Sequence, residues 1–147
     1  MSGNPWKQVD PLFRGDEANG PSVPDPASKT GIVAHVLYLG GRGRGTPFTS
    51  TTESEDFAAY FASPAGRVWQ TSAATATREG AAHLSRKQLL QLLKGYGKGK
   101  AKWTQAWEVA QAAQYVEQWS EHLLDWSKVS TKEIARAITQ SFSKRSR

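Results

Sequence analysis

The sequence contains no cysteine, a single methionine and only three histidines. The missing cysteine excludes disulfide scaffolds, thiol nucleophiles and cysteine-ligated zinc. No apolar run reaches the roughly 18 residues that a membrane span needs, and the first residues lack the basic start and apolar stretch of a secretory signal. We therefore expect a protein that acts in an aqueous compartment without a membrane partner, or one that is carried elsewhere as part of something larger.

Positive charge predominates among the charged residues. The chain has 147 residues, with 19 Lys and Arg against 13 Asp and Glu, a formal net charge of +6. This charge favours polyanionic partners, from nucleotide phosphates to RNA and DNA, although it also serves solubility alone. A hydrophobic content of 38% and six tryptophans indicate one globular domain over residues 1–147, with residues 1–8 and 143–147 as flexible ends.

Short apolar runs and helical periodicities are interspersed along the chain. Strands are predicted at residues 9–16, 47–52, 67–71 and 121–126, and helices at residues 31–39, 53–62, 86–94, 105–118 and 131–142. The β-branched content of residues 31–39 leaves a strand open there. Because the order lacks the regular βαβ rhythm of a parallel sheet, the predicted fold class is α+β.

Three helix starts carry the capping-box pattern, in which a hydroxyl and a carboxylate or amide three residues later satisfy the first free amides of a helix. The pattern occurs at residues 52–55, 85–88 and 130–133. It predicts that Thr52, Ser85 and Ser130 cap helices. The basic tail at residues 144–147 is expected to fray.

Three polar elements stand out along this pattern. The first is Arg14 at the end of a strand, with Gly15 behind it. The second is the run of hydroxyl side chains at residues 49–52, followed by a helix. The third is Glu121, which immediately precedes an apolar run. Each element alone is a weak signal, and their joint order is more specific.

In order and rough spacing, the three elements resemble the arginine–serine–glutamate class of ADP-ribosyltransferases, which includes many bacterial toxins. Arg14 matches the aromatic-Arg-Gly segment of the first strand, residues 50–52 match a Ser-Thr-Ser strand with threonine last, and Glu121 matches the glutamate before a late apolar strand. The resemblance covers about residues 9–139. It implies a split core of two small antiparallel β-sheets flanked by helices, with NAD as the substrate in the cleft between them.

The resemblance implies roles that suit the chemistry of these residues. Arg14 offers a planar fork of donors to the NAD pyrophosphate, and Gly15 lets the backbone approach the ligand closely. Breaking the nicotinamide–ribose bond generates positive charge on the ribose. A fixed carboxylate, Glu121, stabilises that charge in the transition state. No metal is required for this reaction.

The remaining implied contacts line the same pocket. Ser50 is expected to hold the catalytic carboxylate in one rotamer, while Thr51 and Thr52 support the pocket wall. Phe57 and Tyr60 lie at helical spacing and are mainly core residues. One of them can stack on nicotinamide, since stacking needs only a planar face.

Recognition of the acceptor is expected just before the glutamate. Many relatives place Gln or Glu two residues ahead of it, whereas this chain has Trp119 there, next to Gln118. Either the strand register differs by a residue or the acceptor is selected by other means. Lys98 and Lys100, in a glycine-rich stretch with aromatics, can track a phosphate backbone. A solvated loop is the alternative interpretation of that stretch.

Each site residue also has an ordinary alternative. Arg14 can be a surface arginine, and residues 50–52 can be good strand formers with a helix cap. Glu121 has three rivals, Glu108, Glu117 and Glu133. His35 and His122 are interpreted as packed or solvated, although some members of the wider superfamily use a histidine in the arginine's place, which leaves His35 as a reserve.

The resulting hypothesis is a mono-ADP-ribosyltransferase toxin, antibacterial or host-directed, that modifies a protein or RNA of the translation machinery. Small size and basic charge suit the C-terminal domain of a larger effector, made in the bacterial cytoplasm, secreted and active in the target cell. A cognate acidic immunity protein and a monomeric state are expected. The alternatives are an NAD glycohydrolase using the same site, and a basic RNA-binding or ribonuclease toxin.

Overall fold

The computed structural model describes residues 11–38, 45–62, 64–95 and 103–145. Within these ranges the strands are β1 (Pro11–Asp16), β2 (Phe48–Thr52), β3 (Arg67–Ser72), β4 (Ala82–Leu84), β5 (Glu121–Asp125) and β6 (Ser143–Lys144). The helices are α1 (Ile32–Tyr38), α2 (Glu55–Phe61), α3 (Ala73–Arg78), α4 (Arg86–Gly95), α5 (Trp103–Gln118) and α6 (Ile134–Ser141). None of these helices is long and apolar enough to cross a membrane.

The strands form a single antiparallel sheet in the order β4-β5-β2-β1-β3-β6. The predicted α+β class is confirmed, and one sheet stands where two small sheets are expected from the sequence. The two halves of the sheet meet at β1 and β2, which share a single register pair, Phe13 with Thr52. By contrast, β1 pairs with β3 along its whole length, and β2 pairs with β5 along its whole length. The sheet is therefore least connected at its centre.

Alternation along the strands gives the sheet an apolar core on each face. On one face, Phe48 of β2 and Leu123 of β5 pack against buried side chains of α1, α4 and α5. On the other face, Leu124 and the fully buried Trp126 pack against α3 and α6. The Trp126 indole donates a hydrogen bond to the hydroxyl of Thr49, so the largest core side chain has no unpaired polar atom.

Two of the three predicted helix starts need correction. At α2 the cap is Ser54, whose hydroxyl accepts from the Phe57 amide. Thr52 is not the cap, because its hydroxyl donates to the carbonyl of Trp119 across the site. At α6 the Ser130 hydroxyl accepts from the Glu133 amide, but the helix begins only at residue 134.

The capping box at the start of α4 is confirmed. The Ser85 hydroxyl accepts from the Gln88 amide at 3.1 Å. In return, the Gln88 side chain accepts from the Ser85 amide at 2.9 Å. Both partners lie within one turn, which is why the sequence alone predicts them.

The predicted fraying of the C-terminal tail is wrong for residues 143–145. Ser143 and Lys144 form β6 on the edge of β3. Arg145 donates to the Glu55 carboxylate at 3.0 Å and to the side-chain oxygen of Gln70 at 3.0 Å. This ties the tail to α2 and β3. Residues 146 and 147 lie outside the described part of the chain.

Candidate functional site

The second and third polar elements meet on adjacent strands. Strands β2 and β5 pair antiparallel, with Thr52 opposite Glu121 and Ser50 opposite Leu123. Opposite residues and residues two apart share a face of a sheet, so Ser50 and Glu121 point to the same side. The Ser50 hydroxyl donates to Glu121 Oε2 at 2.7 Å, although 71 positions separate the two residues. The strand register therefore directs Glu121, and not His122, towards Ser50.

The first polar element reaches the same point from β1. The Arg14 guanidinium donates through Nη1 to the backbone carbonyl of Ser50 at 2.9 Å, and through Nε to Asp16 Oδ2 at 2.6 Å. Burial raises the pKa of Asp16, but the Arg14 charge and the amide hydrogen bonds from Ser22 and Glu17 outweigh it, so the net pKa is lowered. Asp16 is thus an ionised partner that fixes the direction of Arg14.

Asp16 is absent from the sequence-based site, although a signal for it exists. It lies two residues after Arg14 on β1, and residues two apart on a strand share a face. A carboxylate at that spacing is well placed to bind the guanidinium. Nothing local distinguishes this pairing from a solvated surface pair, which is why the residue was missed.

A histidine from α1 completes the polar group. His35 is 3% exposed. Its Nε2 lies 2.7 Å from Ser50 Oγ, and its Nδ1 lies 2.8 Å from Thr46 Oγ1. The interpretation of His35 as a packed residue therefore needs an addition, because the ring also contacts the site. It does not replace Arg14, which holds its own place on β1.

The electrostatics of the site depend mainly on burial. Glu121 is 5% exposed, and burial raises its pKa to about 7 against the opposing effects of the Ser50 hydrogen bond and the Arg14 charge. For His35, burial and then the Arg14 charge lower the pKa to about 4. At neutral pH the histidine is therefore neutral, whereas the glutamate is close to its midpoint. Ionisable groups shifted in this way concentrate at functional sites.

These side chains face a cleft of about 1110 Å³. Pockets for drug-sized ligands have volumes of about 300–1,000 Å³, so the cleft can hold a ligand at the upper end of that range. Nine of the predicted site residues line the cleft: Arg14, Gly15, Ser50, Thr51, Thr52, Tyr60, Gln118, Trp119 and Glu121.

An aromatic group forms one rim of the cleft. The ring of Tyr60 stacks on Trp119 with centroids 5.7 Å apart and an interplanar angle of 15°. Phe61 and Phe57 contact the same indole edge-on, at 4.7 Å and 5.2 Å. Tyr60 is 74% exposed, so its interpretation as mainly a core residue is wrong. Phe57 does not belong to the cleft lining and instead supports the indole, so its predicted stacking on a ligand is not supported by its position.

Position 15 requires glycine for a packing reason that the sequence did not indicate. A Cβ at this position would lie 2.0 Å from the carbonyl oxygen of Ala58 and 2.5 Å from the amide nitrogen of Ala62. Both are backbone atoms that cannot move aside cheaply. The glycine is therefore required for α2 to pack on β1, whether or not a ligand approaches it.

The remaining predicted residues are Thr51, the three alternatives to Glu121 and two lysines. Thr51 lines the cleft and donates to the backbone carbonyl of His122. Among the rivals of Glu121, Glu117 and Glu133 are exposed and Glu108 is half-buried outside the cleft lining. Lys98 and Lys100 lie outside the described residues.

A second polar cluster lies at the other side of β5. The rings of His83 and His122 stack at 5.1 Å, with His83 Nε2 2.9 Å from His122 Nδ1. His122 Nε2 lies 2.6 Å from the Glu53 carboxylate, which also accepts from Arg86 at 3.0 Å. The sequence places these histidines in unlike contexts, and only the β4–β5 pairing brings them together.

The geometry differs from that of a serine hydrolase. In such a triad the acid binds the histidine, which accepts the serine proton. Here Glu121 binds Ser50 directly, so the hydroxyl acts as a hydrogen-bond donor to a carboxylate. The arrangement can hold one carboxylate rigidly beside a cleft, next to an arginine. It suits stabilisation of developing positive charge.

Within the described ranges, no group of three or more His, Cys, Asp or Glu side chains is arranged to hold a metal ion. Comparisons of the chain with protein-family models, with curated proteins and with solved structures found no match. Functional conclusions therefore depend on the geometry and chemistry of the site.

Proposed function

We propose that this chain is an ADP-ribosyltransferase of the arginine–serine–glutamate class, which cleaves NAD and transfers ADP-ribose to a macromolecule. The observation that carries the proposal is the hydrogen-bonded convergence of Arg14, Ser50 and Glu121 in one cleft. The three residues come from separate strands, β1, β2 and β5. A chance set of surface residues has no reason to meet in this way.

The centre of the sheet supports the split core that this class implies. Strands β1 and β2 share one register pair, Phe13 with Thr52, so the strands diverge next to the site. Arg14 stands on one side of that junction, and Ser50 and Glu121 stand on the other. A dinucleotide bound across the junction would contact both halves of the sheet.

Arg14 is suited to bind the pyrophosphate of NAD. Its side chain is 23% exposed and lines the cleft, while its described hydrogen bonds to Asp16 and Ser50 use Nε and Nη1. Asp16 offsets part of the attraction of the site for anions, but it also holds the guanidinium in one orientation. Preorganised planar donors bind phosphates with bidentate geometry.

Glu121 is suited to assist the cleavage step. The bond between ribose C1′ and the pyridinium nitrogen breaks, its electron pair leaves with neutral nicotinamide, and the positive charge passes to the ribose. The ionised Glu121 carboxylate stabilises that charge. A nucleophile of the acceptor then bonds to C1′ and loses its proton. Because burial raises the pKa of Glu121 to about 7, activity is expected to rise as the pH increases through neutrality.

The aromatic rim is the proposed acceptor side. Trp119, with Gln118 and Tyr60, stands at the edge of the cleft that contains Glu121. A protein or an RNA of the translation machinery remains our proposed acceptor. We also retain the proposal of a secreted bacterial toxin, active in the cytoplasm of the target cell and neutralised by an acidic immunity protein.

The proposal is tested with NAD labelled in its adenosine part, incubated with the wild-type chain in the presence and absence of bacterial lysate. Label that enters protein or RNA, and is lost with Glu121→Ala, would support a transferase and show which fraction contains the acceptor. Free ADP-ribose alone, also lost with Glu121→Ala, would support the NAD glycohydrolase alternative. Intact NAD under both conditions would overturn both, and RNA binding that weakens with salt would then favour the nucleic-acid alternative.

A further inference from the structure

His35 lies within a chain of hydrogen bonds that begins at Glu121 and ends at Thr46. The chain runs from Glu121 Oε2 through the Ser50 hydroxyl to His35 Nε2, and from His35 Nδ1 to the Thr46 hydroxyl. All described links are 2.8 Å or shorter. No buried side-chain polar atom in the described ranges lacks a partner. Each group in the chain therefore depends on the donor or acceptor state of the next.

The directions of these hydrogen bonds follow from the state of Glu121. When the carboxylate is ionised it only accepts, so the Ser50 hydroxyl donates to it. The Ser50 oxygen can then accept from His35 only if the ring carries its hydrogen on Nε2. In that tautomer Nδ1 is an acceptor and receives the hydroxyl of Thr46.

Protonation of Glu121 on Oε2, the oxygen that faces Ser50, reverses the chain. The carboxyl group then donates to the Ser50 oxygen, and the Ser50 hydroxyl donates to His35 Nε2. The ring must therefore carry its hydrogen on Nδ1, which donates to Thr46. No proton enters or leaves the ring overall, because the histidine stays neutral in both states and only its tautomer changes.

We infer that His35 is a positioning residue for Glu121: it fixes the Ser50 hydroxyl, and its tautomer follows the protonation state of the carboxyl group. The inference deepens the proposed function and rests on it only for the kinetic part. It assigns a use to a buried ring that the polar elements of the sequence did not include.

The ionisable groups around the pair do not obscure this coupling. After burial, the charge of Arg14 on β1 is the second cause that lowers the pKa of His35, and it opposes the rise that burial causes at Glu121. Asp16 binds the Arg14 guanidinium. The other ionisable groups of the cleft lining are Glu17, Asp25, Tyr60 and Tyr115. Those on the neighbouring elements include Glu53, His83, Arg86, Glu117, His122 and Asp125. None of these is among the causes of either shift.

The coupling is measured by nuclear magnetic resonance on the full chain labelled with ¹⁵N and ¹³C, without NAD. Between pH 5 and 9 the ¹⁵N shifts of the neutral His35 ring should change from the Nδ1–H to the Nε2–H pattern. The midpoint should equal that of the Glu121 carboxyl ¹³C signal. In Glu121→Gln this change should disappear, and in Glu53→Gln it should persist. A ring whose tautomer stays constant while Glu121 titrates, or still changes in Glu121→Gln, would overturn the inference.

The kinetic part compares two substitutions of His35. His35→Gln retains a donor near the Nε2 position, whereas His35→Leu removes it. For nicotinamide release, His35→Leu should lower kcat about 5-fold, the rate equivalent of one ordinary hydrogen bond, and leave KM unchanged, with most of the rate restored in His35→Gln. Equal losses in both variants, with folding intact, would contradict the positioning role. Absence of NAD cleavage in the wild type would instead contradict the proposed function and leave the tautomer result standing.

Discussion

Glu121, the first residue of β5, and Glu53, which binds His122 of the same strand, have different surroundings. Glu121 is 5% exposed and binds a neutral hydroxyl, and burial raises its pKa to about 7. The Glu53 side chain is 40% exposed and binds His122 and Arg86. Burial raises the pKa of Glu53, but the hydrogen bonds to His122 and Arg86 and the charges of these two residues together outweigh burial, so the net pKa is lowered.

The difference supports our proposal that the Glu121 cluster, and not the Glu53 cluster, binds a ligand. Glu53 is already neutralised by its own partners, so its charge is used within the protein. Glu121 is buried with incomplete compensation, which costs folding free energy and leaves a carboxylate facing a cleft. A group held in an unfavourable state beside a cavity is typical of a functional site.

The largest expected effect concerns stability. Folded Glu121 has a pKa of about 7 against its ordinary 4.5, so between these values the folded state retains a proton that the unfolded state releases. The stability from this group is therefore fully present below about pH 4.5 and is lost as the pH rises to 7. Glu121→Gln should stabilise the chain by on the order of 3 kcal/mol at pH 8 and far less at pH 5, in denaturant unfolding.

The matched variant Glu53→Gln should have the opposite sign. The folded pKa of Glu53 is lowered, so this group contributes stability that is present above the unfolded pKa and is lost as the pH falls through the folded pKa. Because the pair is exposed, the loss at neutral pH should be below about 1 kcal/mol. If both variants shift stability in the same direction at pH 8, the comparison fails.

A smaller effect is expected for the arginines of the two clusters. Arg14→Lys keeps the charge but removes the planar fork that binds the Ser50 carbonyl and Asp16. It should reduce kcat/KM for nicotinamide release by about 10–100-fold, the equivalent of one hydrogen bond to a charged group. Arg86→Lys alters the Glu53 cluster in the same way, and its kcat/KM should match that of the wild type. Equal effects of the two substitutions would remove the distinction between the clusters.

The smallest effect is expected at the aromatic rim. Trp119→Ala removes the indole that Tyr60 and Phe61 pack against, and it should lower transfer of label to the acceptor by about 2–10-fold, as one stacking contact would. Cleavage of NAD without acceptor should be retained. The control is Trp107→Ala, an exposed tryptophan on α5 outside the cleft lining. A loss shared by both variants, or confined to NAD cleavage, would contradict the rim as the acceptor side.

Local patterns predicted the parts of the molecule that local forces determine. The α4 capping box is correct because Ser85 and Gln88 satisfy each other within one turn. At α2 the same pattern failed, since the Thr52 hydroxyl donates instead to the Trp119 carbonyl, 67 positions away. Long-range pairing thus overrode a valid local signal.

Elements without a strong pattern of their own were missed. No element was predicted between residues 72 and 84, where α3 and β4 lie. Helix α3 is only six residues long and β4 only three. In the same way, Glu121, Ser50 and Arg14 were found from the order of motifs, whereas His35 was not, because its contact with Ser50 depends on how α1 packs against β2.

We propose that Glu121 serves NAD cleavage and that Glu53 does not. The most direct measurement is kcat and KM for nicotinamide release by the wild type, Glu121→Gln and Glu53→Gln at pH 8. We predict that Glu121→Gln lowers kcat by about 10²–10³-fold, as expected for a lost transition-state charge interaction, and that Glu53→Gln equals the wild type. Release that is equal in all three proteins, or lost equally in both variants, would contradict the account.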